Sequence, residues 1–251
     1  MIEVRRRDKA GVRAGAQKPS AAASPAPDSS EPAVARGTRS DSLDLMRALR
    51  ERIASHELPP GAKLREQELA DEFAISRARV RDVLGVLEQR GLVERIPNRG
   101  AVVTRLTPAQ VAELYDAREV LEGLAVRLAT LGNAPESWQD LIDAFGAPAE
   151  KAVLAGELET YSDLLATFRN RVIGACGSEL VASLLDTMHE RTAYLVRRLI
   201  LVPGRALDGL REHRAVLEAM SRGDAEAAES LKRANIRAAK ECFARYQRLI
   251  L

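Results

Sequence analysis

Residues 61–100 constrain the fold of this chain more than any other segment. Apolar positions at helical spacing predict a short helix over residues 66–73, and a turn at Ala74-Ile75 follows it. Ser76 is a good N-cap for a second helix, which ends at Gly91. The inward face of this second helix consists of Val80, Val83, Leu84 and Leu87. The segment therefore predicts two short amphipathic helices joined by a tight turn.

A third helix and a hairpin flank this pair. The helix is predicted from near Ser42 to just before Pro59 by the spacing of Leu43, Met46, Leu49 and Ile53. Two alternating runs, residues 92–96 and 101–105, are separated by the turn sequence PNRG and predict a β-hairpin. Three helices followed by a hairpin make a winged helix-turn-helix, which we place at residues 41–106.

Only helical patterns recur from residue 107 to residue 251. The sequence TPAQ at the start of this region combines a capping box with a proline at the first helical position. Breaks that contain glycine or proline divide the rest into six or seven helices, as in an all-α bundle. The predicted fold class is therefore mainly α, with an N-terminal winged helix-turn-helix and a C-terminal helical bundle.

The first 40 residues differ from the rest in composition and charge. They carry eight Lys and Arg against four Asp and Glu, so that the remainder of the chain has a net charge of −2. Their Ala, Ser, Pro and Gly content predicts a disordered basic tail. The tail either has no role or attracts DNA phosphates weakly through its basic residues, which include Arg5, Arg6, Arg7 and Lys9.

Several protein classes are excluded by what the chain lacks. Two cysteines are too few for a disulfide framework, and no apolar stretch has the length of a membrane span or a signal peptide. We therefore expect a reduced, cytoplasmic protein with no membrane association. The chain also lacks a nucleophile elbow, a glycine-rich phosphate loop and a paired metal-ligand motif. These absences argue against an enzyme, and no cofactor is expected.

Three arginines crowd the start of the second helix of the pair. Positive charge at a helix N-terminus is unfavourable, so Arg77, Arg79 and Arg81 indicate a partner rather than packing. In a helix-turn-helix this end reads the major groove, and arginine binds guanine or phosphate. A solvated charge cluster is the alternative. At the hairpin tip, an arginine followed by a glycine suits close approach to a groove. The predicted DNA contacts are therefore Ser76, Arg77, Arg79, Arg81, Arg99 and Gly100.

The sequence of residues 42–105 resembles the GntR family of bacterial transcriptional regulators. The match rests on LPPGAKLREQELADEF and on ISRARVRDVLGVLEQRGLVERIPNRGAVV. It departs from the family pattern at Ala78-Arg79, where the family often has a proline, and at Asp82 in place of glutamate. Residues 107–251 are similar to the helical effector domain (FCD) of the FadR-type branch, through LTPAQVAELYDAREVLEGLAVRLA, FRNRVIGACGS and EHRAVLEAMSRGDAEAA.

This resemblance implies a homodimer that binds a two-fold symmetric DNA operator and responds to a small acid. Many relatives hold a divalent metal in the effector domain, and the four ligand positions fall on Leu165, Arg169, His213 and Asn235. Three of the four are not ligands, so we predict no metal. Arg169 can instead present its guanidinium fork to a carboxylate, with hydrogen bonds from His213 and Asn235. Arg118, at a position where the family often has arginine, joins this predicted effector site.

Two alternatives remain open, one for the state of this site and one for the function of the chain. The first is a decayed pocket in which Arg169 pairs with an acidic residue and His213 is an ordinary core histidine. His56 and His189 are assigned to the surface or to packing. The second alternative concerns function: in place of a ligand-responsive regulator, the chain would be an effector-independent or architectural DNA-binding protein whose helical domain only dimerises.

Overall fold

A computed structural model describes residues 33–251, and the side chains from residue 41 onward. The DNA-binding part is formed by α1 (Ala33–Ala54), β1 (Lys63–Leu64), α2 (Glu66–Glu72), α3 (Arg77–Gln89), β2 (Val93–Ile96) and β3 (Gly100–Val103). The rest is formed by α4 (Pro108–Gly132), α5 (Gln139–Ala144), α6 (Ala147–Ala155), α7 (Leu158–Ala175), α8 (Glu179–Leu199), α9 (Arg205–Ser221) and α10 (Ala225–Ile250). A short 3-10 helix, Pro135–Trp138, precedes α5.

The predicted fold class is confirmed. Three helices and a hairpin form the winged helix-turn-helix, and seven α-helices follow it in the described chain. The hairpin strands β2 and β3 pair antiparallel, and β1 adds to the other edge of β3. Strand β1 was not predicted, because two residues are too few to show an alternating pattern. One apolar core holds these elements together, and Leu49, Val80, Leu84 and Leu87 lie at its centre.

The first helix begins earlier than the sequence pattern indicated. We placed its start near Ser42, whereas α1 starts at Ala33. Alanine and arginine favour helix without any apolar periodicity, so the pattern did not reveal this first part of α1. Residues 33–40, which we predicted to belong to the disordered tail, are therefore helical. The rest of the predicted tail, residues 1–32 with Arg5, Arg6, Arg7 and Lys9, lies outside the described residues.

Helix α4 is the central element of the effector domain. It packs against α7, α8, α9 and α10, and it supplies buried residues to both apolar clusters of this domain. Tyr115 belongs to the cluster near its start, and Val126 belongs to the cluster near its end. A helix that is buried on several sides positions polar side chains in the interior, and α4 does so with Arg118 and Glu122.

The start of α4 is fastened by reciprocal hydrogen bonds. Thr107 Oγ1 accepts from the Gln110 backbone N–H at 3.2 Å, and Gln110 Oε1 accepts from the Thr107 backbone N–H at 2.9 Å. The capping box predicted from the sequence is therefore confirmed, with Pro108 in the first turn. These bonds satisfy N–H groups that the helix itself cannot pair.

Replacing Thr107 with alanine should lower the free energy of unfolding by about 1 kcal/mol, because one N-cap bond is lost. Urea denaturation followed by circular dichroism measures this change. Thr187→Ala is the control, since the Thr187 hydroxyl only bonds to the Ser183 carbonyl within its own helix. Equal midpoints for both variants would show that the capping box adds nothing to stability.

Candidate DNA-binding surface and effector cavity

The start of α3 presents the predicted reading residues to solvent. Ser76 caps the helix, and its Oγ accepts a hydrogen bond from the Arg79 backbone N–H at 3.3 Å. Its hydroxyl hydrogen is not used in this bond and can still be donated to a phosphate. Arg77 and Arg81 are exposed, whereas Arg79 is half-buried. The structure thus separates the three arginines into an exposed pair and a more enclosed third residue.

Glu66 of α2 holds the exposed pair together. Arg81 donates to both Glu66 carboxylate oxygens, at 3.1 and 2.8 Å, and Arg77 lies 3.6 Å from Oε2. The hydrogen bonds from Arg81 lower the pKa of Glu66 despite the opposing effect of burial. The sequence placed Arg77 and Arg81 on one face of the helix, and the structure brings both to the same carboxylate. Glu66 therefore orients the two guanidinium groups, a role that the sequence analysis missed.

The hairpin tip is exposed and has the backbone geometry that its sequence suggested. Gly100 has a φ of +80°, which favours glycine, and Asn98 has a φ of +63°. Arg99 is exposed, and its N–H closes the turn onto the Ile96 carbonyl at 3.0 Å. Arg95 of β2 binds Glu88 of α3 at 3.0 Å, so the hairpin is tied to the reading helix.

The four predicted effector residues line a single cavity. This cavity has a volume of about 260 Å³ and lies between α4, α7, α8, α9 and α10. Its wall includes Arg118, Arg169, His213 and Asn235, together with Leu165 from the family's metal position. Residues separated by more than a hundred positions in the sequence thus meet at one site.

A buried carboxylate, Glu122, stands at the centre of the cavity wall. Its Oε1 accepts from Arg118 Nε at 2.7 Å and from His189 Nε2 at 3.0 Å. Its Oε2 lies 3.1 Å from Lys232 Nζ. Burial favours the protonated form, but Arg118, Lys232 and His189 outweigh it and hold the pKa of Glu122 well below its usual range. Glu122 is therefore ionised and joins α4, α8 and α10.

The polar groups of Arg118 and Asn235 are used within the protein. Arg118 also donates to Thr192 Oγ1 at 3.3 Å. Asn235 Oδ1 accepts from Lys232 at 3.0 Å, and its Nδ2 donates to Glu212 Oε2 at 2.6 Å. These two residues shape the wall of the cavity and hold other charges in place.

Arg169 forms no ion pair among the residues whose side chains the structure describes. Its one hydrogen bond to these residues joins Nε to Asn170 Oδ1 at 3.3 Å, and no carboxylate among them lies within 4 Å of its guanidinium. Burial lowers the pKa of this guanidinium, with Glu122 opposing and Arg118 adding to the shift. The alternative in which Arg169 pairs with an acidic residue is not what the structure shows. Arg169 lines the cavity as a cation with no described carboxylate within ion-pair distance.

His213 presents a hydrogen-bond acceptor to its surroundings. Its ring lies between Phe145 and Phe168, with centroid distances of 5.6 and 5.1 Å. Nδ1 donates to the Gly209 carbonyl at 2.7 Å, so Nε2 carries no proton in the neutral ring. Burial, with a contribution from Lys232, lowers the pKa of His213 to about 3. The donor that the sequence analysis assigned to the effector is therefore used by the backbone, and Nε2 can only accept.

Family models match both halves of the chain. Residues 42–103 match the model described as bacterial regulatory proteins, gntR family, and residues 113–238 match the FCD domain. The chain belongs to the GntR family. It is a DNA-binding transcriptional regulator with an FCD effector-binding domain, and it is not an enzyme.

Relatives of this GntR regulator match it over most of its length. An "Uncharacterized HTH-type transcriptional regulator in unstable DNA locus" from Streptomyces ambofaciens is 30% identical over 80% of this chain and 84% of its own. A "Probable D-xylose utilization operon transcriptional repressor" from Paenarthrobacter nicotinovorans is 30% identical over 70% and 77%. The solved structure of E. coli McbR/YncC has a TM-score of 0.69 at 19% identity, and covers 82% and 98%. Identity this low shows a shared fold alone.

The GntR regulator departs from the metal-binding pattern of its family at the cavity. Of the four positions, only His213 has a side chain of the type that binds the metal in the family. Its neighbours in the cavity wall include the cations Arg169 and Lys232. Two cations oppose a divalent ion electrostatically, and one imidazole cannot hold it. Residues 33–251 also contain no cluster of three His, Cys, Asp or Glu side chains able to bind a metal. The residues present therefore do not fit such an ion.

Three residues of the cavity wall were missed by the sequence analysis. Glu122 and Lys232 were not singled out, and His189 was assigned to the surface or to packing. His189 is buried and binds Glu122. A signal was available for two of them, because Glu122 follows Arg118 by four residues and His189 follows Leu185 by four.

None of the helices in the described range is long and apolar enough to cross a membrane.

Replacing Arg77 or Arg81 with alanine should weaken binding to the operator by about 1–3 kcal/mol each. Each change removes a guanidinium from the reading end of α3. Fluorescence anisotropy with an operator selected by the wild-type protein measures the dissociation constant. Arg171→Ala is the control, because Arg171 is an exposed cation of the effector domain. Unchanged affinity in both reading-helix variants would remove these residues from the DNA interface.

The depressed pKa of His213 predicts a loss of stability in acid. Below a pKa of about 6.5 the unfolded chain binds a proton here, while the folded protein stays neutral down to about 3. Stability linked to His213 is thus complete above pH 6.5 and falls between the two values, by about 1.4 kcal/mol per pH unit. Urea denaturation of wild type and His213→Asn from pH 7 to pH 4 should show a steeper decline for wild type. Parallel declines would contradict the buried neutral imidazole.

Proposed function

We propose that this GntR regulator is a homodimer that binds a two-fold symmetric operator and responds to a small organic anion. The anion binds in the cavity of the effector domain without a metal. The observation that carries this proposal is Arg169, which lines the cavity and has no acidic partner within ion-pair distance in the described chain. A guanidinium in this position suits a bidentate bond to a carboxylate.

The charges around the cavity favour an anion. Four cations (Arg118, Arg169, Arg205 and Lys232) line it, against one buried carboxylate in its wall, Glu122, and one behind it, Glu212. The two other charged side chains in the wall, Arg197 and Asp163, are exposed and opposite in sign. These six buried and half-buried groups therefore carry an excess of positive charge, and a bound anion would neutralise part of it.

The open acceptor of His213 adds a second requirement. A ligand that pairs with Arg169 and also satisfies His213 Nε2 must offer a hydrogen-bond donor. An ammonium group would be opposed by the excess of cations, so a hydroxyl group is the better donor. A hydroxylated carboxylate meets both requirements. The name of the relative from Paenarthrobacter nicotinovorans, a D-xylose utilization operon repressor, agrees with a hydroxylated ligand.

One observation favours an effector-independent protein instead. Arg118, His189 and Lys232 all pair with Glu122, as in a structural ion cluster. In that case the cavity would be an incidental gap between helices, and the helical domain would only dimerise. The two functions differ in one measurable property, which is stabilisation of the protein by an organic anion.

Thermal unfolding with matched ligands tests the proposal. Gluconate should raise the melting temperature, while glucose, which lacks the carboxylate, should not. At a concentration of one hundred times the dissociation constant, the stabilisation is about 2.7 kcal/mol. Arg169→Gln should abolish the shift, and Arg171→Gln should retain it, because Arg171 pairs with Asp140 outside the cavity. A set of hydroxy acids, including lactate and glycolate, extends the test to smaller anions.

Absence of any shift across this set would reject the anion sensor in favour of the effector-independent protein. Light scattering coupled to gel filtration measures the molar mass in solution and so tests the proposed homodimer independently of the ligand. Footprinting of the operator shows whether protection is two-fold symmetric, as a dimer of reading helices requires.

A further inference from the structure

Helix α8 has one face on the cavity and a neighbouring face on the DNA-binding domain. Leu185, His189, Thr192 and Val196 recur every three or four residues and line the cavity. Glu190, Arg191, Tyr194 and Arg198 form the neighbouring face, which meets the DNA-binding domain. Adjacent residues of a helix are about 100° apart, so His189 and Glu190 point to different sites from the same turn. A movement of α8 therefore changes both sites together.

Glu190 connects α8 to two helices of the DNA-binding domain. Its Oε1 accepts from Arg50 of α1 and, at 2.6 Å, from Arg90 at the end of α3. The Glu190 side chain is only 10% exposed, whereas Arg50 and Arg90 are 42% and 39% exposed, so the carboxylate end of these charge-assisted bonds is shielded from solvent. Arg90 lies at the opposite end of α3 from the reading residues. The position of the reading helix is thus linked to the position of α8.

The contact surface between α8 and the DNA-binding domain, which we call the seam, combines apolar residues with buried polar groups that are incompletely bonded. A small cavity at the seam is lined by Thr104, Arg191 and Tyr194, among others. Within the described chain, Thr104 Oγ1, Arg191 Nε and Tyr194 Oη are buried without a partner, and so is Glu190 Oε2. Gly91 allows the close approach of Arg191, because a Cβ at Gly91 would lie 3.0 Å from Arg191 Nε. Unsatisfied buried polar groups make a contact less costly to break than a well-packed apolar one.

We propose that α8 transmits the state of the cavity to the reading helix through the bonds of Glu190 to Arg50 and Arg90. This inference rests on the proposed function for its physiological signal, but its physical link does not require a particular ligand. A group that fills the cavity presses on the His189 face of α8. Packed helices respond by small rigid shifts, and a shift of α8 alters the Glu190 bonds and the position of α3.

The proposal predicts how the Glu190 bonds affect coupling. In wild type, an anion that raises the melting temperature should change the operator dissociation constant, typically by about 5- to 150-fold. Glu190→Gln should reduce that change to less than about twofold, because the neutral amide lacks the carboxylate charge that both ion pairs require. The melting temperature shift with the anion should remain, since Glu190 does not line the cavity. Arg50→Gln and Arg90→Gln should each reduce the coupling as well.

A second experiment needs no effector. Ala166 of α7 lines the cavity and lies on a different helix from Glu190. Ala166→Leu fills part of the cavity, and we expect it to change the operator dissociation constant by about fivefold or more in the wild-type background. In the Glu190→Gln background the same substitution should leave the dissociation constant unchanged. Ala166→Val is the smaller alternative if the leucine variant does not fold, as judged by its melting curve.

The outcomes separate this inference from the proposed function. Equal effects of Ala166→Leu in both backgrounds, or no effect in wild type, overturn the α8 link even if an anion binds. If Ala166→Leu changes the operator dissociation constant only in the wild-type background, and no anion stabilises the protein, the α8 link is supported and the anion sensor is rejected. Asp140→Asn is the matched control, because it removes an ion pair that lies wholly within the effector domain. It should leave the response to Ala166→Leu intact.

Discussion

The effector domain depends on the pairing of one ionised carboxylate, that of Glu122, with three basic side chains. It is buried on the central helix and is held by Arg118 of the same helix, His189 of α8 and Lys232 of α10. Removing one partner from such a cluster leaves a buried charge uncompensated, which costs several kcal/mol. The cluster therefore determines how α4, α8 and α10 stand around the cavity. Neither oxygen of Glu122 pairs with Arg169, whose guanidinium has no carboxylate of the described residues within ion-pair distance.

Single carboxylates also pair with several basic side chains in the DNA-binding domain and at its contact with α8. Glu66 holds Arg77 and Arg81, and Glu190 holds Arg50 and Arg90 at the seam. In each case one carboxylate organises two guanidinium groups. At the start of α3 the carboxylate and both guanidinium groups belong to the DNA-binding domain, whereas at the seam the carboxylate is more buried and belongs to α8, so its bonds join two domains. The role of each arginine pair thus follows from its surroundings, since the chemical groups are the same.

Local patterns predicted the elements whose signals lie within a few residues. The cap at Ser76, the capping box at Thr107 and the hairpin around Gly100 each depend on residues three to five positions apart. The start of α1 at Ala33 and strand β1 escaped because neither shows an apolar pattern. The convergence of Arg118, Arg169, His213 and Asn235 followed from the family resemblance, because nothing in their spacing indicates a common cavity.

By itself, the sequence determined the fold class, the reading helix with its arginines and the absence of three metal ligands, because these follow from residue types at short spacing. Only the tertiary structure decided which of the candidate residues are already bonded. Asn235 and Arg118 are engaged within the protein, His213 donates its N–H to a backbone carbonyl, and no described carboxylate lies within ion-pair distance of Arg169. These states depend on partners from other helices, such as His189 at 67 positions from Glu122. Charge pairing acts through space, and the packing of helices sets those distances.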